Sequence, residues 1–206
     1  MSQMDRITLC YFMLETSSTF GRGENVKLML VDAGLDHDYG RIRRDEWPPF
    51  KKQLQQEGAH SSTLPYIEIA GQKFFKSVPI MRYVSTKMGG IYHGATPEED
   101  QLLDVVAELN DTWFEQMKRA FYGSEELKEE YTNKTIPAQI DIFEKFYSDR
   151  KGPYLLGEKL TYPDFLIYHM IDDNTLREKL TSNLIKFIDA FEQRPNMIKY
   201  LKHLSA

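Results

Sequence analysis

Residues 63–87 read TLPYIEIAGQKFFKSVPIMRYVSTK, and this stretch decides the fold. Runs of β-type residues at 66–70 and 72–75 lie on either side of a glycine, which predicts a β-hairpin. A helix is predicted next, opening at Ser77 and extending to about Met88. The Leu-Pro turn before the hairpin and the backbone N–H donors at the helix start together favour binding of a small, extended, carboxylate-bearing molecule.

The residues before this stretch alternate between strand and helix patterns. A β-type run at 6–12 precedes a helical pattern at 23–33, which ends at Gly34 as a plausible C-cap. A weaker strand at 38–42 follows, and 46–57 has the character of a polar, partly helical connection. The order βαβ, then ββα, predicts a small mixed sheet with helices on its faces.

The character of the chain changes near residue 89. Apolar residues then recur at helical spacing, which predicts helices near 98–121, 124–148, 161–173, 181–193 and 196–204. The predicted fold class is therefore an α/β domain over 1–88, a linker over 89–97 and an all-α domain over 98–206.

A helix start is predicted in detail at Thr161. The Thr161 hydroxyl and the Asp164 carboxylate, three residues apart, have the spacing of a capping box, in which each side chain accepts from the other residue's backbone N–H. Leu160 and Phe165 stand where a hydrophobic staple would be. This pattern supports the fold and carries no chemistry.

Composition excludes several classes of protein. The 206-residue chain has a net charge of −5 and a pI near 5.6, which argues against nucleic acid as a partner. No run approaches the roughly 18 apolar residues of a spanning helix, and the first residues lack a signal-peptide pattern, so we expect a cytoplasmic protein without a membrane partner. The histidines lack metal-ligand spacing, so no metal is expected.

Cys10 is the one cysteine in the chain, which excludes an intrachain disulfide framework. No Cys-x-x-Cys motif is present, and this argues against a thioredoxin-like oxidoreductase. Cys10 precedes Tyr11 on a predicted strand, so the two side chains point to opposite faces of the sheet. We interpret Cys10 as a buried core thiol.

The 63–87 pattern resembles the glutathione-binding half of the cytosolic glutathione transferases, and the resemblance extends over essentially the whole chain. It is closest to the tyrosine-type classes sigma, pi and mu. These enzymes join a thioredoxin-like N-terminal domain to an all-helical C-terminal domain, and they usually form dimers. The resemblance implies a homodimeric transferase that uses glutathione as cosubstrate and conjugates its thiolate to a hydrophobic, electrophilic small molecule.

The resemblance places the catalytic tyrosine at Tyr11, at the end of the first strand. A phenol hydroxyl that donates to a thiolate stabilises it by about 1.5–3 kcal/mol, which lowers the thiol pKa by roughly one to two units. The segment between Tyr11 and Gly21 is longer than in most tyrosine-type members. It supplies four hydroxyl groups, any of which could replace Tyr11 as the donor: Thr16, Ser17, Ser18 and Thr19.

Further positions carry over to the two ends of the glutathione molecule. Trp47 and Lys51 match residues that contact the glycyl carboxylate in the family. Leu64 and Pro65 match the turn whose backbone pairs with the cysteinyl unit, through a cis proline.

At the γ-glutamyl end, Ser77 matches the serine that holds the carboxylate. Lys76 stands where glutamine is common, and its cation could aid binding or alter the preferred thiol. Arg22 lies in a Gly-Arg pair like the one that opens the first helix in the family. Asp111 falls near the acid that reaches across the dimer to the γ-glutamyl amine.

The acceptor pocket is expected between the two domains. The candidate residues are apolar or aromatic: Met13, Leu14, Trp113, Met117, Phe121 and Tyr122. Tyr122 matches a tyrosine that assists acceptor activation in pi-like enzymes. The alternative for these residues is a core role, because aromatic and Met side chains at helical spacing commonly form a core.

Two other functions remain open at this point. A glutathione-dependent isomerase needs the same thiolate but releases it unchanged, so turnover without a conjugate would indicate it. A non-catalytic carrier or structural protein of the same fold would neither bind nor consume glutathione, and the long segment after Tyr11 favours it.

Overall fold

The computed structural model describes residues 6–14 and 21–204. The chain divides into two compact units, one containing residues up to 88 together with those from 194 onward, the other containing 89–193. The four alternative hydroxyl donors predicted at 16–19 lie outside the described residues.

The first unit is built on a four-stranded sheet. Its strands are β1 (Ile7–Phe12), β2 (His37–Ile42), β3 (Tyr66–Ile69) and β4 (Gln72–Phe75), in the order β2-β1-β3-β4. β1 and β2 run parallel, whereas β3 is antiparallel to both β1 and β4. The mixed sheet and the hairpin predicted from the sequence are confirmed.

The described helices are α1 (Gly21–Asp32), α2 (Trp47–Gln56), α3 (Ser77–Lys87), α4 (Pro97–Phe121), α5 (Glu125–Glu130), α6 (Ile136–Ser148), α7 (Tyr162–Asp173), α8 (Ser182–Glu192) and α9 (Pro195–Leu204). The segment at 46–57, predicted to be only partly helical, contains the regular helix α2. Its first turn begins with two prolines after Trp47, which fix φ at helical values and lack the N–H groups that a first turn leaves unpaired.

The two faces of the sheet have separate cores. α1 and α3 pack against each other on one face, over the fully buried Leu9. Cys10 faces the other way and forms a cluster with Leu54 of α2 and Tyr66 of β3. The Cys10 side chain is 7% exposed, and burial raises the pKa of its thiol. The prediction of a buried core thiol is confirmed.

The last helix, α9, packs on α1 in the first unit. The sequence analysis placed this segment in the all-helical domain. The segment instead belongs to the first unit. There Met197 is fully buried, and Arg194 forms an ion pair with Asp32 at the end of α1. Helical spacing alone gives no information on which unit an amphipathic helix covers.

The helices from 97 to 192 form the second unit. The predicted helix at 124–148 is observed as α5 and α6 joined by a π-helical turn, Tyr131–Thr135. Pro137 lies in the first turn of α6 and has no N–H to donate to the carbonyl four residues earlier. The π-helical turn, which is wider than an α-helical turn, lies immediately before α6, where this hydrogen bond is missing.

The start of α7 has the predicted capping box at Thr161 and Asp164. The Asp164 carboxylate is fully buried and accepts four hydrogen bonds. The Thr161 N–H and hydroxyl donate at 2.7 Å each, the Tyr147 hydroxyl at 2.9 Å and the Leu155 N–H at 3.2 Å. One carboxylate therefore ties α7 to α6 and to the segment before α7.

The stability of this arrangement should depend on pH. Burial raises the pKa of Asp164 to about 6, although its hydrogen bonds act in the opposite direction. The unfolded-state pKa is about 3.9, so the folded state binds the proton more tightly. Binding of this proton therefore stabilises the folded protein. This stabilisation is complete below about pH 4 and is lost as the pH rises through about 6.

We therefore expect the free energy of unfolding of the wild type, relative to Asp164→Asn, to rise as the pH falls from 7 to 4. Urea denaturation of both proteins across this range measures the difference, and the Asn side chain supplies a reference that does not titrate. A difference that stays constant, or that falls as the pH is lowered, would contradict the raised pKa.

Among the residues that the structure describes, no helix combines the length and the apolar character needed to cross a membrane. Within the same ranges, 6–14 and 21–204, no group of three or more His, Cys, Asp or Glu side chains is placed to hold a metal ion.

Candidate functional site

Tyr11 lies at the end of β1 and packs directly against the backbone of the first turn of α1. A Cβ atom added at Gly21 would lie 2.6 Å from the Tyr11 hydroxyl oxygen, and one added at Gly23 would lie 2.5 Å from Tyr11 Cγ. Gly21 also has a φ of +54°, which L residues rarely adopt. Glycine at both positions allows the ring of Tyr11 to touch the helix backbone.

The hydroxyl of Tyr11 accepts a hydrogen bond from the backbone N–H of Arg22, at 3.1 Å. The sequence analysis singled out Arg22 in its Gly-Arg pair, and the structure shows that its amide orients Tyr11. A phenol oxygen that accepts one hydrogen bond still has its own proton to donate. The contact therefore fixes the orientation of the hydroxyl, a group that is chemically able to donate to an anion.

The Leu64-Pro65 turn lies at the same end of the sheet as Tyr11, since Cys10 pairs with Tyr66 across β1 and β3. The Leu64-Pro65 peptide bond is cis, which confirms the prediction. The N–H of Lys76 donates to the Pro65 carbonyl at 3.3 Å. This hydrogen bond joins the turn to the start of α3.

Ser77 is the first residue of α3, and its side chain is 5% exposed. The first-turn N–H groups of a helix lack partners within the helix and carry a partial positive charge, so they favour a carboxylate. Lys76 precedes the helix with a φ of +73°, and its side chain is exposed. Lys76 and Ser77 are consecutive, and together they provide a cation, a hydroxyl and the N-terminus of α3.

Trp47 lies at the start of α2, where its half-buried ring packs edge-on against Phe12 at a centroid distance of 5.8 Å. Phe12 directly follows Tyr11, so Trp47 lies beside the same end of β1. Lys51 is one helical turn further along α2 and is exposed. The residues of the first unit that are predicted to bind glutathione therefore lie near one end of the sheet.

The predicted pocket residues are distributed over both units, and each is described within its own. Met13 and Leu14 directly follow β1, and the Met13 side chain is 45% exposed. Phe121 and Tyr122 end α4 with side chains that are 70% and 63% exposed. Their rings meet edge to face, with centroids 5.0 Å apart. These exposures agree with a role in binding an apolar molecule.

Trp113 and Met117 lie further inside the helical unit. Trp113 is 1% exposed, its ring stacks on Phe143, and its N–H donates to the Tyr131 hydroxyl at 3.1 Å. This environment makes Trp113 a core residue, which is the alternative that its helical spacing left open. Met117 is half-buried, and its sulfur accepts a hydrogen bond from the Asn174 amide at 3.3 Å.

Asp111 lies on α4, also within the helical unit, and is half-buried. Its predicted role concerns a second copy of the chain and stays a prediction.

The sequence analysis missed a group of polar side chains on the α1 face of the sheet. They are Glu24 and Lys27 of α1, Tyr39 and Arg41 of β2, and Tyr200 of α9. The i, i+2 spacing of Tyr39 and Arg41 on a strand was a signal that both lie on one face. No spacing in the sequence relates Tyr200 to the other four.

The sheet with its cis-proline turn, followed by a separate unit of helices, defines a two-domain protein with a thioredoxin-like N-terminal domain. Comparisons with known proteins show which proteins the chain is similar to. A family profile described as "Glutathione S-transferase, C-terminal domain" matches residues 110–203. The chain is 28% identical to Glutathione S-transferase P 10 of Caenorhabditis elegans, over 90% of this chain and 88% of that protein.

Two further comparisons cover nearly the full length. Glutathione S-transferase 1 of Ascaris suum is 26% identical, over 96% of each chain. The structure of the Pi-class glutathione S-transferase of Onchocerca volvulus has a similar fold, with a TM-score of 0.81 at 24% identity over 97% of this chain and 93% of that one. The chain is thus similar to glutathione S-transferases over nearly its whole length, and its residues 110–203 match the C-terminal domain of that family.

Proposed function

We propose that this protein transfers glutathione to hydrophobic, electrophilic small molecules, with Tyr11 stabilising the glutathione thiolate. The observation that carries the proposal is the Tyr11 hydroxyl, which is oriented by the Arg22 amide at the end of the sheet that also holds the cis Leu64-Pro65 turn and Ser77. The similarity of the chain to glutathione S-transferases over nearly its whole length supports the use of glutathione.

In the proposed reaction, the thiol proton leaves to solvent and the Tyr11 hydroxyl donates to the remaining thiolate. A free thiol has a pKa of about 8.5, so most of it is protonated at neutral pH. The donated hydrogen bond favours the thiolate, which then forms the carbon–sulfur bond. In a substitution reaction, the leaving group departs with the electron pair of the bond that breaks.

The tripeptide would be held at three places. The γ-glutamyl carboxylate binds Ser77 and the N-terminus of α3, with the cation of Lys76 beside it. The backbone of Leu64 pairs with the cysteinyl unit. The glycyl carboxylate binds Trp47 and Lys51. These contacts meet both carboxylates of glutathione with cationic or N–H groups.

The predicted acceptor-binding residues are Met13 and Leu14 in the first unit, and Met117, Phe121 and Tyr122 in the second; their role stays a prediction. A homodimer, a contact of Asp111 with glutathione of the partner copy, and a cytosolic location stay predictions.

Calorimetric titration of the purified protein with glutathione tests the proposal. We expect the wild type to bind and Ser77→Ala to bind about 10- to 100-fold more weakly, because a hydrogen bond to a charged group is worth about 1.5–3 kcal/mol. Thr86→Ala is the matched control, since Thr86 lies at the far end of the same helix and bonds the Arg82 carbonyl. It should bind like the wild type.

Turnover with an aryl halide completes the experiment. Binding together with formation of a glutathione conjugate supports the transferase. Substrate turnover without a conjugate would favour the isomerase, and absence of glutathione binding by the wild type would overturn the proposal in favour of a non-catalytic protein.

A further inference from the structure

Helix α9 is attached to α1 by polar contacts at both ends of α1. At the far end from Tyr11, the Arg194 guanidinium donates to both carboxylate oxygens of Asp32, at 2.5 and 2.8 Å. The Asn196 amide donates to the Asp32 carbonyl at 3.1 Å. The Asp32 side chain is 3% exposed and that of Arg194 is 30% exposed, so the carboxylate is buried and the guanidinium is partly accessible to water.

At the near end, the Tyr200 hydroxyl donates to the carboxylate of Glu24. Glu24 is 3% exposed, so this acceptor is buried. The Lys27 ammonium lies 5.0 Å from the Tyr200 ring centroid and 4.7 Å from that of Tyr39. Tyr200 therefore provides both a hydroxyl for the carboxylate and an aromatic face for the adjacent cation.

This near end adjoins the proposed catalytic tyrosine. Glu24 directly follows Gly23, whose backbone touches the Tyr11 ring, and it is two residues from the Arg22 amide that bonds the Tyr11 hydroxyl. On the neighbouring strand, Arg41 is in register with Tyr11, and its guanidinium lies 4.7 Å from the Tyr39 centroid.

The charges around this site influence one another. Burial is the main cause that raises the pKa of Tyr39; Glu24 and Tyr11 raise it further, and Arg41 lowers it. Burial is also the main cause that raises the pKa of Tyr200, and Glu24 adds to it. Tyr11 is thus within electrostatic reach of the group formed by α1, β2 and α9.

We propose that Tyr200 is a positioning residue for catalysis: by holding Glu24, it keeps the first turn of α1, and with it the Arg22 amide, against the hydroxyl of Tyr11. This inference rests on the proposed function. Arg194 anchors the same helix at Asp32, eight residues further along α1, and has no such role.

The physical reason is the cost of a buried carboxylate that loses a donor. A buried carboxylate that loses one of its hydrogen-bond donors is less stable in its buried position. In Tyr200→Phe, Glu24 can recover solvation by moving outward, and this movement displaces the first turn of α1. The distance between the Arg22 N–H and the Tyr11 hydroxyl then increases. The phenol is less well oriented, so it stabilises the thiolate less.

The test compares Tyr200→Phe with Arg194→Met in the full-length protein. The pKa of glutathione bound to each variant is measured from the ultraviolet absorbance of the thiolate as a function of pH. We expect Tyr200→Phe to raise this pKa by about 0.5 to 1 unit and to lower kcat/KM at pH 6.5 by about 3- to 10-fold. Arg194→Met should leave the thiol pKa unchanged, although both variants lower the melting temperature.

A double variant separates positioning from general destabilisation. In the Tyr11→Phe background, Tyr200→Phe should cause no further rise in the thiol pKa, because its effect passes through the Tyr11 hydroxyl. Equal thiol pKa values in the wild type and Tyr200→Phe, or equal shifts in Tyr200→Phe and Arg194→Met, would overturn the inference. A wild type that fails to bind glutathione would overturn the proposed function instead.

Discussion

Tyr11→Phe should lower kcat/KM near neutral pH by about 10- to 100-fold, while the glutathione dissociation constant stays close to that of the wild type. The variant removes one hydrogen bond to a charged sulfur, worth about 1.5–3 kcal/mol. It retains the ring that packs on Gly21 and Gly23. The pKa of the bound thiol should rise by roughly one to two units, which a thiolate absorbance titration measures directly.

Cys10→Ala is the matched control for this variant. Cys10 adjoins Tyr11 in sequence, but its thiol lies on the opposite face of the sheet, beside Leu54 and Tyr66. We expect Cys10→Ala to retain the wild-type thiol pKa and turnover, with only a modest loss of stability. If Tyr11→Phe is as active as the wild type, another group must stabilise the thiolate. Loss of turnover in a folded Cys10→Ala protein would show that the two faces are not independent.

Asp164→Ala should lower the free energy of unfolding by about 3–5 kcal/mol, since each buried donor left unpaired costs about 1–3 kcal/mol. The Asp164 carboxylate is fully buried and accepts from Thr161, Tyr147 and Leu155. Its removal would leave the two backbone N–H groups and the Tyr147 hydroxyl without this acceptor. Urea denaturation followed by circular dichroism measures the loss.

Asp141→Ala serves as the reference for this stability change. Asp141 lies on α6 with its side chain exposed, and substitution at such a position changes stability by about 0.5 kcal/mol or less. A similar small effect at Asp164 would mean that the buried carboxylate is replaceable by water.

The strands and helices could be predicted closely because their signals are local. The hairpin at 66–75, the start of α3 at Ser77 and the capping box at Thr161 all depend on residues within a few positions of one another. The position of Tyr11 at the end of a strand depends on the same kind of signal. The resemblance to a family then assigned chemistry to positions that spacing alone leaves undecided.

The contacts of α9 could not be predicted in this way. Tyr200 and Glu24 are 176 positions apart, and Arg194 and Asp32 are 162 apart. No pattern in the sequence links such residues. Arg22 illustrates a second limit: sequence comparison draws attention to a side chain, whereas the hydrogen bond to Tyr11 comes from the backbone amide, which every residue but proline possesses.

The π-helical turn between α5 and α6 has a consequence for the phase of the long helical segment. In a regular α-helix, residues five apart are rotated by about 140° relative to each other. Here the N–H of Ile136 bonds the carbonyl of Tyr131, which brings residues five apart onto one side. Both side chains are buried, at 5% and 8% exposure. A single extra residue in the turn thus changes the rotation of the helix that follows. The hydroxyl of Tyr131 can therefore reach Trp113, and the apolar side of α6 still faces the core.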